Sequence, residues 1–439
     1  MSNLLTTDSQ KKASFKIAVI VGKFPVLSET FILNQIGGLL ERGHQVDIYA
    51  LEGYSGEKKV HPIVSHYQLL ERARYVASVP DNFGCRCLKA LQLFILKGWK
   101  KPLTILKSLN VLKYGKQAAS LRLFYSTTAF LEQRNYDIVH CQFGVYAVQG
   151  KYPEDPGVLV LRSLGLLRGK LITAFRGWDI SWYVKQQGED VYTQLFQLGD
   201  FFLTNCHFFG DRVIKLGCQP EKVAVLGSGI DLAKFVYKPR QFPADGQVRL
   251  ATTGRLVEKK GIEYSIRAVA TLIEQYPNIE YNIIGDGCLR QELQQLIADL
   301  GIGNHVKLLG WRQQGEIIRI LDRSHLFLAP CVTAQDGNQD APVNTLKEAM
   351  LMGLPVISTN HGGIPELVQD GVSGYLVPER DAQAIADRLQ YLLQNSQLWP
   401  VLGQQGRQAV EQHYDINQLN DELVSIYHQV QRSYPIYRK

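Results

Sequence analysis

Apolar residues in this chain fall into short, nearly continuous runs separated by stretches in which they recur at helical spacing. Phe15-Lys-Ile-Ala-Val-Ile-Val21 is one such run, the mark of a strand buried on both faces of a parallel sheet. Glu29 to Arg42 follows with a helical pattern, Ser28 as N-cap and Gly43 as stop. Val46 to Leu51 is the next strand, and strand–helix–strand units of this kind build parallel sheets. Further strands are predicted at Tyr136–His140, Lys170–Phe175, Asp200–Cys206 and Val223–Gly227. The pattern restarts at Val248–Thr253 and continues through Ile279–Ile284, Val306–Gly310, His325–Pro330 and Pro355–Ser358. Helices are expected over Val343–Met352, with Leu346, Ala349 and Met350 on one face, and over Ala382–Asn395, Arg407–His413 and Leu419–Val430. The class is α/β.

A chain of 439 residues suggests two domains. Lys238 to Gly246, with Pro239, Pro243 and Gly246, is the natural linker. The expected division is 1–237, a linker at 238–246, a second domain at 247–414 and a terminal helix in 415–439. Hydrophobic content of 45% and charged content of 20% are ordinary for a globular chain. The seven cysteines show no zinc spacing and read as reduced, buried thiols. The N-terminus lacks the apolar core of a signal peptide, and no apolar run reaches the ~18 residues that span a bilayer. These features point to a cytoplasmic protein.

The net charge of +7 is local. Asn82 to Leu131 contains no Asp or Glu and nine cations, among them Lys89, Lys97, Lys100, Lys101 and Lys107. Leu88, Leu91, Phe94, Ile95 and Trp99 recur there at helical spacing. Such a basic amphipathic stretch either lies on an anionic membrane surface, peripherally, or packs its apolar face on the sheet and leaves its lysines solvated.

The chemistry concentrates between Asp336 and Glu366. Asp340 precedes the helix predicted at Val343–Met352, and Glu348 lies on it. Gly353 suits the C′ position and Pro355 blocks continuation. A helix N-terminus offers N–H groups and a positive dipole end, which suit a phosphate. Carboxylates only accept hydrogen bonds, which suits sugar hydroxyls. Phosphate together with hydroxyls describes a nucleotide sugar. The reading of ordinary solvated acids on a βα unit competes with it. Gly254-Arg255, Lys260-Gly261, Gly285-Asp286-Gly287 and Trp311-Arg312 all follow strands, where α/β sheets bind ligands. Lys259 beside them reads as a solvated cation.

The spacing Asp340…Glu348-Ala-Met and Gly353-Leu-Pro-Val356 resembles the donor signature of family-4 retaining glycosyltransferases, in which the first acid is Glu. The opening Gly22-Lys-Phe-Pro-x-x-Ser-Glu-Thr-Phe-Ile32 is similar to that of the colanic-acid type of exopolysaccharide enzymes. The resemblance implies the GT-B architecture, two facing Rossmann-like domains with a C-terminal helix crossing back to the first. It implies that Arg255 and Lys260 hold the donor diphosphate without a metal or other cofactor. Asp340 and the amides of Ala341, Pro342, Val343 and Asn344 would orient the donor sugar, and Glu348 would hold ribose hydroxyls. Gly22, Gly254, Gly285, Asp286, Gly287, Trp311 and Arg312 would line the nucleotide site. A hexose would pass to a saccharide or lipid-linked saccharide acceptor with retained anomeric configuration. His140, Arg176 and Asp179 stand near family positions on the acceptor side. Gln142 and Arg176 occupy places where the family usually has His. A satisfied strand-end pair is the competing reading of His140 and Asp179, but two such strand ends at one cleft favour the functional one.

Two other classes were weighed. A dehydrogenase would need G-x-G-x-x-G after the first strand, but Gly22-Lys-Phe-Pro-Val-Leu stands there. A silent, membrane-bound assembly component would fit the departures at Asp340, Gln142 and Arg176, whereas Arg255, Lys260 and Glu348 are those of an active enzyme. Nothing suggests a nucleic-acid partner.

Overall fold

The computed structural model describes residues 14–26, 29–52, 61–132, 135–149 and 156–433. Ser28, the expected cap, lies outside them. The helix that follows is Thr30–Glu41, with Glu29 at its N-cap.

Among the described residues thirteen strands form two sheets: β1 Lys16–Val21, β2 Gln45–Ala50, β3 Ala73–Tyr75, β4 Asn135–Cys141, β5 Arg168–Phe175, β6 Phe201–Thr204, β7 Val223–Val225, β8 Val248–Thr253, β9 Ile279–Ile284, β10 Val306–Gly310, β11 Leu326–Ala329, β12 Val356–Thr359 and β13 Tyr375–Val377. The first sheet has the order β3-β2-β1-β4-β5-β6-β7 and the second β10-β9-β8-β11-β12-β13. Every neighbouring pair in the second sheet is parallel. In the first, β1 runs parallel to both β2 and β4, with Val19 opposite Ile48 on one side and His140 on the other. These are two Rossmann-like domains, as the alternating strand and helix patterns predict.

Chain contacts divide the protein into two compact units, residues 1–142, 146–172 and 427–439, and residues 143–145 and 173–426. The last helix, Ile416–Ser433, contributes to both, changing units at Tyr427. Residues 238–246 carry no regular secondary structure. They are nevertheless pinned, because buried Arg240 donates to the carbonyls of Asp322 and Met352.

The second sheet is covered on both faces. Helices Ile262–Leu272 and Ala382–Gln394 pack on one side, where Leu250, Ile283, Leu389 and Trp399 meet. Helix Asn344–Leu351 packs on the other, burying Leu346, Ala349 and Met350 completely against Phe327 and Val356. Gly353 follows with φ +80, the left-handed C′ position that favours glycine. Strand order reverses between β8 and β11. A crevice forms outside the carboxyl ends of the strands at such a switch point, and the loops after β8 and β11 both lie there.

Several expectations are corrected. The three-residue strands β3 and β13, each at an edge of its own sheet, were not predicted. The helix expected at Arg407–His413 begins at Trp399, and the terminal helix begins at Ile416. The apolar residues at helical spacing in 88–99 are not packed on the sheet, whereas Leu123, Tyr125 and Phe130 farther along are buried and Phe130 stacks on Tyr49 of β2. Leu88, Ile95 and Trp99 are each at least 66% exposed.

Candidate functional site

Asp340 is the point on which the site converges. Lys259 donates to its Oδ1 at 2.8 Å and Lys260 to its Oδ2 at 2.7 Å. All three side chains are nearly buried, 9%, 14% and 12% exposed respectively. The lysines sit on a single turn, Glu258–Lys260, between β8 and helix Ile262–Leu272. Burial would raise the Asp340 carboxyl, but Lys260 and Lys259 override it and hold the group well below the usual carboxylate range. Burial likewise works against the Lys260 ammonium, and Asp340 outweighs it, so that pKa is raised. Lys259 is therefore no solvated surface cation. It also donates to Asn338 Oδ1 at 3.2 Å. Arg255 is exposed and its side chain makes no hydrogen bond or ion pair among the described residues, so its guanidinium is available to an anion.

The backbone of Asp340 is held from below. Its N–H donates to Nε2 of His361 at 3.0 Å, and Nδ1 of His361 meets Glu379 Oε1 at 2.6 Å. Because Nε2 accepts, Nδ1 carries the proton of the neutral imidazole. Glu379 in turn accepts the Thr333 N–H at 2.7 Å and the Thr333 hydroxyl at 3.2 Å. His361 is fully buried. Neither it nor Glu379 was singled out from the sequence, where His361 reads only as part of a turn.

Helix Asn344–Leu351 begins just beyond Asp340. Its N-cap is Val343, which has no side chain able to cap. The amides of Asn344 and Thr345 have no acceptor among the described residues, leaving donors and a dipole end open at this terminus. Among the four residues expected to supply amides, Pro342 is a correction, for it has no N–H. Glu348 is partly exposed and makes no hydrogen bond or ion pair among the described residues. Burial raises its pKa to about 7, against the opposing effect of Lys347. Lys347 is buried, and burial lowers its pKa to about 7. Its Nζ donates to the Ser228 carbonyl at 2.8 Å and sits 4.1 Å from the centre of the Tyr414 ring.

Gly285 and Gly287 follow β9 and are small for a reason other than ligand access. Gly285 has φ +143, and a Cβ there would collide with the Gly254 carbonyl; one at Gly287 would collide with that of Leu256. Their smallness lets two strand-end turns touch. Asp286 is exposed, with Oδ1 accepting the Gly287 N–H at 2.8 Å. The Trp311 ring is 52% exposed, and Arg312 donates to the Trp311 carbonyl.

The acceptor-side expectations divide. Asp179 is fully buried and accepts N–H groups of Gly144, Arg176 and Gly177 at 2.9, 2.9 and 3.1 Å. Burial lifts its pKa to about 6 against those bonds. His140 is fully buried, with Nδ1 2.7 Å from the Tyr427 hydroxyl. Asp179 is thus held by backbone donors, and the Tyr427 hydroxyl meets only Nδ1 of His140. Arg176 remains partly exposed. Its loop reaches the Asp340 segment through Gln339, which donates its N–H to Ser181 Oγ at 3.2 Å and accepts from Arg212 at 2.9 Å. Gly22 packs under the Tyr146 phenol in the other compact unit. Arg255, Lys260, Asp340 and Glu348 thus lie in one unit, while His140 and Gly22 lie in the other.

Comparison with known proteins divides the chain as the two sheets do. Residues 28–234 match the family profile described as Glycosyltransferase Family 4, and residues 236–409 that described as Glycosyl transferases group 1. The chain is 34% identical over 414 residues to a protein of Escherichia coli K12 named as a colanic acid biosynthesis glycosyltransferase, WcaL, covering 94% of this chain and 99% of that one. It is 37% identical over 377 residues to the amylovoran biosynthesis glycosyltransferase AmsK of Erwinia amylovora, covering 84% and 89%. Among solved structures, Anabaena HepE in complex with UDP and glucose superposes with a TM-score of 0.65 at 17% identity, covering 94% of this chain and all of that one. Sucrose-phosphate synthase from Thermosynechococcus elongatus superposes with a TM-score of 0.69 at 14% identity, covering 96% and 100%.

Proposed function

Because this chain belongs to the family-4, group 1 glycosyltransferases of the GT-B fold, we propose that it is a retaining enzyme moving a hexose from a nucleoside-diphosphate sugar. The acceptor is a lipid-linked saccharide, and the product serves exopolysaccharide or cell-surface glycan synthesis on the cytoplasmic side of the membrane. The carrying observation is the Lys259–Asp340–Lys260 cluster beside an uncapped helix N-terminus. The names of the relatives, in colanic acid and amylovoran synthesis, support the glycan class.

The chemistry follows from charge. As the bond from the sugar C1 to the diphosphate oxygen breaks, negative charge grows on the leaving group. Lys260, Arg255 and the open amides of Asn344 and Thr345 are preorganised donors for that charge. They do the electrostatic work that a divalent cation would otherwise do, so no metal is required. Glu348, without a partner of its own, accepts the ribose hydroxyls. Asp340 is fixed by two lysines and by His361 beneath its backbone, and orients the sugar with its remaining lone pairs. The acceptor oxygen bonds to C1 on the face the diphosphate leaves, and its proton passes to the departing phosphate oxygen. Configuration is thereby retained without a covalent enzyme intermediate.

The test is a donor screen with purified protein, UDP- and GDP-sugars and a Glu348→Ala control. Turnover of one donor, lost in the control and undiminished by a chelator, is expected, with the product anomer matching the donor by NMR. Saturable nucleotide binding with neither transfer nor hydrolysis, lipid-linked acceptor included, would instead make the chain a silent scaffold. An inverted anomer would overturn the retaining mechanism.

A further inference from the structure

Helix Phe83–Lys97 is capped by Asn82, whose Oδ1 accepts the Cys85 N–H at 3.1 Å. Its polar side anchors it, and Lys89 donates to the Ser78 carbonyl and hydroxyl at 2.7 and 2.8 Å. Arg86 alone among its residues is buried, and its guanidinium donates to the carbonyls of Pro80, Asp81 and Ser120 at 2.9, 3.1 and 2.9 Å. At about 100° per residue, Phe83, Leu88, Leu91, Phe94 and Ile95 fall within an arc of roughly 140° on a face away from Arg86. That face is open to solvent. It continues through Trp99, 69% exposed, to Leu103, 72% exposed, on helix Pro102–Ser108, and then to the fully exposed Leu112. Of the twenty-two large hydrophobic residues exposed among the described residues, twelve lie between Phe83 and Leu112. Scattered single apolar residues need no explanation, but one contiguous apolar surface does.

Charge selects the occupant. Lys97, Lys107 and Lys116 are exposed around this face and make no hydrogen bond or ion pair among the described residues. There is no Asp or Glu from Asn82 to Leu131. The neighbouring Glu132 is already engaged, 3.1 Å from Lys100 and 3.6 Å from Arg74. A second copy docking by two-fold symmetry would set lysine against lysine with no acid from the patch to pair them. An anionic bilayer offers both complements at one boundary, phosphates for the ammonium groups and acyl chains for Leu, Phe and Trp. Among the described residues no helix is long and apolar enough to cross a membrane, so the mode is interfacial.

We propose that residues 83–116 form a docking face that lays the exposed apolar sides of helices Phe83–Lys97 and Pro102–Ser108, with the segment around Leu112, into the surface of an anionic phospholipid bilayer. This deepens the lipid-linked acceptor reading above and rests on it for its purpose, but its physical basis is separate.

The experiment is co-sedimentation of the full-length chain with vesicles of phosphatidylcholine alone or of equal parts phosphatidylcholine and phosphatidylglycerol. Binding to the mixed vesicles, weakened by salt and by omission of phosphatidylglycerol, is expected. The Trp99→Ser/Leu103→Ser/Leu112→Ser variant loses affinity by at least about tenfold. The Lys97→Glu/Lys107→Glu/Lys116→Glu variant loses about fivefold or more per site, selectively on anionic vesicles. These positions are exposed, so both variants should fold, and UDP binding by calorimetry checks this while reporting separately on the donor site. Wild-type protein that ignores anionic vesicles, or variants that sediment as wild type does, would refute the docking face. A wild-type dimer that the same substitutions convert to monomer would assign the face to a second copy and overturn the lipid proposal. Failure of UDP binding alone would strike the donor reading and leave the docking face standing.

Discussion

Replacing Asp340 with Asn leaves the shape of the cluster almost unchanged and removes its only negative charge. At 2.7 Å and an effective dielectric of about 20, each lysine–carboxylate attraction is at most about 6 kcal/mol before desolvation. Removing one partner of a buried pair leaves an uncompensated charge and typically costs about 3–5 kcal/mol. Here two ammonium groups, 9% and 14% exposed, lose their partner together. The expected loss is therefore about 3 kcal/mol or more, which in a unit of this size lowers the melting temperature by roughly 6–12 °C. The pH dependence has a fixed sign. The folded pKa of Asp340 lies below its ordinary value of 3.8. Its contribution is fully present above 3.8 and is lost as pH falls toward the lower folded value. The gap between wild type and Asp340→Asn should thus be full at neutral pH and shrink below 3.8. A diphosphate can supply the missing counter-charge, so UDP should bind Asp340→Asn about tenfold more tightly, a difference of about 1.4 kcal/mol, while transfer is lost. Differential scanning calorimetry with and without UDP, beside isothermal titration, measures both. A melting temperature unchanged by the substitution together with unchanged UDP affinity would refute the account of the cluster.

Other parts of the molecule give independent tests. Glu348 holds a carboxyl near pKa 7; if its ionised form accepts ribose hydroxyls, donor KM rises as pH falls below about 7, by up to about tenfold per pH unit. In Glu348→Gln that slope disappears, and a flat wild-type KM profile would exclude the role. Glu379→Gln must turn an N–H₂ toward either the Thr333 N–H or His361, because both carboxylate oxygens now accept; a loss of about 1–3 kcal/mol in stability is expected, with weakened donor binding, and wild-type values for both would show the His361 support to be dispensable. Tyr427→Phe removes the hydroxyl beside His140 Nδ1 and should lower stability by about 1–2 kcal/mol without changing UDP affinity, since the donor residues lie in the other unit. A changed UDP affinity would contradict that separation.

What the sequence made legible was set by how local the signal is. Strands β8, β9 and β10 were predicted to the residue, because each is an apolar run bounded by turn residues. Edge strands β3 and β13, three residues each, are too short to show a period. The donor helix was readable from its apolar face and from Gly353. Lys259 was misread because a charged residue looks solvated until the partner that buries it is known, and Asp340 lies 81 positions away. His361 and Glu379 are separated by only 18 positions, but neither stands at a recognisable spacing, and a buried histidine announces itself only through its partners. His140 illustrates another limit: its position at a strand end suits a functional and a structural reading alike, and the Tyr427 hydroxyl that meets its Nδ1 comes from 287 residues later.

Lys347 bears on how such enzymes are cut and recombined. The profile covering the donor half spans residues 236–409, a tempting pair of boundaries for an isolated fragment or a graft meant to exchange sugar preference. Two of the three groups that accommodate the Lys347 ammonium, the Ser228 carbonyl and the Tyr414 ring, fall outside it, and only the Asn344 side chain, at 3.3 Å, lies inside. The bridge between Ile230 and Asp415, which joins the two flanking segments to each other, also falls outside it. The helix carrying Glu348 is therefore not a cassette. A hybrid that transplants it without 228–231 and 414–416 would inherit a buried cation left with Asn344 alone, and donor exchange in this family should be attempted with those two flanks carried along.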